Sequence, residues 1–155
     1  MAEFPEQLES AFVSWLITQP FPDSLKNSDG AFRIFSGESE SLKDGQTIIA
    51  SAGAELTEEP LYSGNYWAEA TVQLITPVIT PAPGSADPTS LSTHQAAAAI
   101  LKLAVTSASI ASDIASSVTG LTVYGVTDRH PVREQTEDTH MSGFKLRIYA
   151  CPSSQ

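Results

Sequence analysis

The chain has 155 residues, with 8 Lys and Arg against 18 Asp and Glu, a net charge of −10, and a hydrophobic fraction of 41%. That length suits one domain with a core of its own, and the recurrence of Trp, Phe, Ile, Leu and Val excludes a disordered acidic tail. The lone cysteine, Cys151, excludes a disulfide scaffold. The basic residues are scattered, which disfavours sequence-specific binding of nucleic acid and binding to an anionic membrane, because both draw on clustered Lys and Arg.

No apolar run is long enough to span a bilayer. Residues 1–6 lack the basic stretch of a signal peptide, so the expected setting is a cytoplasm or an assembly built in one.

Residues 3–19 read as a helix. Pro5 suits its first turn, Glu6 and Glu9 favour its N-terminal end, and Leu8, Phe12, Trp15 and Leu16 form one apolar stripe. Pro20 and Pro22 end it. Residues 23–46 are rich in turn formers, with a short strand expected at 31–35. A clearer strand is expected at 47–52, followed by an acidic turn at 55–60 and a second turn at 63–65.

The segment 67–78 alternates, with Ala68, Ala70, Val72 and Leu74 on one side and Glu69, Thr71 and Gln73 on the other. This is the pattern of a sheet with one buried face. Prolines 77, 81, 83 and 88 then mark an extended connection.

Ser92 and Gln95 have the spacing of a capping box, and a helix carrying Ala96–Ala99 is expected from Thr93 to Thr106. Ser109 is placed to cap a second short helix carrying Ile110 and Ile114, unless the first continues through a kink. Strands are expected at 121–126 and 144–151, with Phe144, Leu146, Ile148 and Ala150 on one face of the last. Between them, residues 127–142 are polar and patternless. They read either as a long loop or as the arms of a long hairpin. Cys151 is expected on the polar side of a sheet edge.

The order of elements implies an α+β fold: a single two-layer domain, with an antiparallel or mixed β-sheet carrying the long helix and the N-terminal helix on one face. Its polar excursions fall at 23–46, 76–91 and 127–142.

Catalytic motifs are absent. His94, His130 and His140 do not have metal-ligand spacing, with His94 expected in a first helical turn and the other two in exposed loop. No Gly-x-Ser-x-Gly elbow, Walker loop or dinucleotide fingerprint occurs. Glu58 and Glu59 are adjacent and diverge. The expectation is a non-enzyme without metal or cofactor, working through protein contacts. Small sheets have edges to be paired or covered, and a closed ring of copies does so through a heterologous interface.

Several features carry a family resemblance. They are the helix with Phe12, Trp15 and Leu16, the strand at Ile48–Ile49 with its acidic turn, and the phrase Gly64-Asn65-Tyr66-Trp67-Ala68-Glu69-Ala70-Thr71-Val72-Gln73-Leu74. A helix from His94, a strand at 123–126, a polar hairpin and a closing strand at 144–150 complete the layout. From Glu6 to Ala150 the chain resembles the tail terminator (tail completion, or head–tail joining) proteins of long-tailed bacteriophages.

The resemblance implies a structural virion protein, assembled in the host cytoplasm and located in the tail or neck. It would form a ring, commonly a hexamer, on the head-proximal end of the tail tube. There it would stop tube polymerisation and dock the head connector or stopper. The alternatives are another neck component (a stopper or adaptor), a tail tube protein, or, from a different class, a cytoplasmic host protein that binds a small ligand or partner.

Partner contacts are expected from the 127–142 segment, through Asp128, Arg129, Arg133, Glu134, Glu137 and Asp138, whose mixed charge suits a register-setting contact. Trp67 is the second candidate contact, unless the 23–46 segment buries it.

Overall fold

In a computed structural model of the chain, which describes residues 4–26, 30–36, 46–58, 66–78, 90–117, 121–135 and 139–152, the apolar stripes become one side of a sheet and the helices lying on it. Helix α1 (Phe4–Ile17) places Leu8, Ala11, Phe12, Trp15 and Leu16 at i, i+3, i+4, i+7 and i+8, and all five are buried. The Phe12 and Trp15 rings stack with centroids 5.7 Å apart. A short 3₁₀ turn (Asp23–Leu25) follows, with Leu25 buried beneath it.

Five strands form a mixed sheet: β1 (Ile34–Ser36), β2 (Thr47–Glu58), β3 (Tyr66–Pro77), β4 (Leu121–Gln135) and β5 (Thr139–Pro152). Their order is β1-β2-β3-β5-β4. Among the described residues only β1–β2 is parallel; the remaining pairs are antiparallel. The expected α+β fold, with its helices on one face of the sheet, is what the chain adopts.

Register puts the apolar sets side by side. Ile48 faces Leu74, Ala50 faces Val72, Ala70 faces Leu146, and Ala68 and Val126 flank Ile148. These residues are buried under α1, over β1 and β2, under α2 (Ser90–Val105), over β3 and β5, and under α3 (Ile110–Ala115), over β4. Small residues dominate the middle of this face, at Ala50, Ala52, Ala68 and Ala70, so the helices approach the sheet closely. The opposite face carries Ser51, Glu69, Thr71, Gln73 and Lys145, and Ser51 and Thr71 share a hydrogen bond across β2 and β3 at 2.8 Å.

Several boundaries differ from the sequence reading, each for a tertiary reason. Of the two readings of the 127–142 segment, the described residues take the hairpin arms and not the loop. Residues 127–135 and 139–142 are the arms of the β4–β5 hairpin, and β5 lies between β3 and β4, which supplies the hydrogen-bond partners its polar composition hid. Residues 55–58, read as a turn, continue β2 after an irregularity between Ala52 and Leu56. The first strand is Ile34–Ser36, shifted from 31–35 because Phe32 bridges Lys26 instead.

Helix α2 starts at Ser90, so Ser92 lies within its first turn and is not its cap. Helix α3 is separate, but Ser109 Oγ donates to the Asp113 carboxylate at 2.9 Å and caps no backbone amide. Cys151 lies on an interior strand, where Tyr124 Oη sits 3.4 Å from its sulfur. Gly64, Asn65, Glu59, Glu137, Asp138 and the proline-rich stretch from 79 to 89 lie outside the described residues.

Candidate functional site

A wide concavity lies where the helix layer stops short of the sheet. Helix α3 covers the start of β4, where Leu121 and Val126 are buried, while α2 sits over β3 and β5. The second half of β4 therefore overhangs. Between it and α2 runs an open groove of about 700 Å³.

Ala98, Ala99 and Leu101 from α2 and Pro131 and Phe144 from the hairpin make its apolar surface, and Lys102, Arg129 and Arg133 contribute the cations. Among the described residues no acidic side chain lines it. In a chain of net charge −10 this is a local reversal of sign.

A bulge builds the rim. Thr127 pairs with Arg147 and His130 with Lys145, so β4 spends one residue more than β5 over this interval. The extra residue breaks the alternation, and Arg129 joins the helix-side groove while His130 stays on the open face beside Glu69, Lys145 and Arg147. Arg133, opposite Ser142, reaches the same groove in ordinary register. The alanines of α2 serve two purposes. Ala97 is buried against the sheet, whereas Ala98 and Ala99 leave the groove unfilled.

Beneath one end of the groove runs a line of polar side chains. Ser24 Oγ donates to Gln46 Oε1 at 2.6 Å, and Gln46 Nε2 donates to Thr76 Oγ1 at 2.8 Å. Thr76 Oγ1 is 2.7 Å from His94 Nδ1, and His94 Nε2 is 2.8 Å from Ser142 Oγ. The ring of His140 lies 5.6 Å from that of His94.

His94 is buried, and burial holds its pKa below the ordinary imidazole value of 6.5, with the nearby His140 and Arg133 adding to the depression. The spacing suggests a nucleophile and base, but a threonine stands where an orienting carboxylate would be. Either tautomer of His94 satisfies both contacts, because the Thr76 and Ser142 hydroxyls can each donate or accept. The line therefore ties the N-terminal half of α2 to β3 and β5. His140, expected in exposed loop, is buried on β5, and His94 is a linker between layers; His130 is exposed, but on a strand. Among the described residues no group of three or more His, Cys, Asp or Glu is placed to hold a metal ion.

The depressed pKa has a consequence for stability. The unfolded chain binds the proton more tightly than the folded one, so the His94 contribution is complete above about pH 6.5 and is lost as the pH falls through the lower folded value. Urea midpoints should fall between about pH 7 and pH 5, and His94→Gln should flatten that slope. An equal slope in the variant would place the effect elsewhere.

The expected contact residues divide between two faces. Arg129 and Arg133 line the groove, and Glu134 is exposed on β4. Asp128 is in the bulged strand, and Glu137 and Asp138 lie outside the described residues.

Trp67 is on the other side of the sheet, half-buried against Tyr149 at 4.7 Å, with the Arg147 guanidinium 5.0 Å from its ring centre. Tyr149 in turn meets Tyr124 at 5.3 Å, giving an aromatic row across β3, β5 and β4. Sequence reasoning missed Lys102, Phe144 and the two groove alanines as site residues. The available signal was that four consecutive alanines cannot all face the core of one helix.

No helix among the described residues is long and apolar enough to cross a membrane. No protein-family model matches the chain, and a comparison with curated proteins finds no match.

Proposed function

We propose that this protein is a structural virion component that forms a ring at the head-proximal end of a phage tail tube, ending tube polymerisation and presenting the docking surface for the head connector or stopper. The observation that carries the reading is an open, cation-rimmed groove at the outer strand of a two-edged sheet. Small-molecule sites enclose most of their ligand and converge polar groups on it. An open groove beside an edge strand suits a segment of protein, and a ring needs two different docking surfaces on each subunit. The element order expected from the tail terminator resemblance, with its helix, strand pair, long helix and closing hairpin, supports the same reading.

The test is reconstitution. Purified protein mixed with polymerising tail tube protein should appear by electron microscopy as a ring on one end of each tube, and should stop growth at that end. Tubes that grow at the same rate with bare ends would overturn the proposal. Binding along the tube wall would favour a tube or sheath-like role.

A further inference from the structure

We infer that the groove beside α2 is the receiving half of the subunit interface, and that it takes the outer flank of α1 from a second copy of this chain. The inference rests on the ring reading above and names the surfaces that would build it.

The first argument is charge. The groove gathers Lys102, Arg129 and Arg133, three of the eight Lys and Arg in the chain. The outer flank of α1 carries Glu6 and Glu9, beside Ser10, Val13 and Ser36. Complementary patches of this kind select a partner and fix its register.

The second argument is shape. On α1, Glu6, Ser10 and Ile17 follow one another along the exposed side, with Val13 half-buried at its margin, acidic at the first turn and apolar towards the end, with Ile17 46% exposed. On α2, the groove side runs from Gln95 to Thr106. Both stretches span eleven residue steps, or about 16 Å of helix, so one helix can lie along the other for its whole length. The apolar end of α1 then has Pro131 and Phe144 to bury against.

The third argument is placement. The α1 flank borders β1 through Ser36, and the groove borders β4. These are the two edges of the sheet. A donor surface at one edge and a receiver at the other make a head-to-tail contact, which leaves each copy able to give and to receive, as closure into a ring demands.

A charge-swap experiment with the intact chain decides the matter. One variant carries Arg129→Glu and Arg133→Glu; the other carries Glu6→Arg and Glu9→Arg. Each alone should weaken self-association, measured by analytical ultracentrifugation, by at least about tenfold, and the equimolar mixture should form mixed oligomers of alternating variants with most of the lost affinity restored. Far-ultraviolet circular dichroism verifies folding, and rescue in the mixture is itself a folding control.

Two variants that still form wild-type rings would overturn the inference while leaving the ring reading standing. Loss of assembly in both with no rescue in the mixture would overturn the pairing of these two surfaces. If the groove variant self-associates normally but no longer caps tubes, the groove belongs to the tube protein and the inference fails. A wild-type chain that stays monomeric at high concentration and on tube ends would remove both proposals together.

Discussion

Replacing Gly143 with alanine should destabilise the protein by about 3 kcal/mol, which for a chain of this size lowers the melting temperature by about 10 °C. Gly143 lies in the middle of β5, between Gln73 of β3 and Val132 of β4. A Cβ at this position would stand 2.1 Å from the Val72 carbonyl oxygen and 3.1 Å from the Gln73 Cα. Both obstacles are backbone in a paired strand, so no side-chain rotation relieves them. The two strands must separate locally, and hydrogen bonds of the ladder stretch with them.

The glycine is required by a close approach of main chains. Gly125 is the matching control. It lies in β4 with nothing within 4 Å of its would-be Cβ, so Gly125→Ala should change stability by no more than about 0.5 kcal/mol. Urea denaturation of both variants checks the pair. Equal midpoints would mean that β3 and β5 have more slack than their spacing implies.

Arg33→Ala should cost about 3 kcal/mol by another route. Arg33 is a buried cation whose guanidinium gives hydrogen bonds to three main-chain carbonyls: Gln46 through Nε at 2.8 Å, Lys26 through Nη1 at 2.8 Å and Ser24 through Nη2 at 2.5 Å. These carbonyls belong to the turn after α1 and to the residue just before β2. Arg33 thus holds together two stretches that share no regular ladder. Its own main chain joins them too, with its amide donating to Leu25 O and its carbonyl accepting from the Ile48 amide.

Removing the side chain strands the acceptors and leaves a void. Arg33→Lys keeps the charge but cannot reproduce a planar fork reaching three acceptors, so it should recover less than half of the loss. Because Gln46 also carries the polar line on to Thr76 and His94, amide exchange should quicken at the start of α2 as well as around β1. A variant as stable as the parent would show that water satisfies those carbonyls equally well.

Much of this fold is local information. The stripe at Leu8, Phe12, Trp15 and Leu16 can only be one side of a helix, and the alternation from Ala68 to Leu74 can only be a strand buried on one face. Both readings follow from backbone period and from nothing farther away. Net charge and the lack of catalytic spacing are likewise properties of composition.

The hairpin arms and the groove are properties of position. Residues 127–135 form a strand because β5 supplies their hydrogen-bond partners, and no apolar pattern announces it since the helix layer ends before reaching them. Arg129 reaches the helix side only because a bulge adds one residue to β4, and a shift of one residue turns a side chain to the opposite face. His94 and Ser142 are 48 residues apart and meet only once α2 lies across β3 and β5. A sequence read along its length carries the period of each segment. Register, bulge and overhang arise between segments, where the partner's geometry decides which side chains meet.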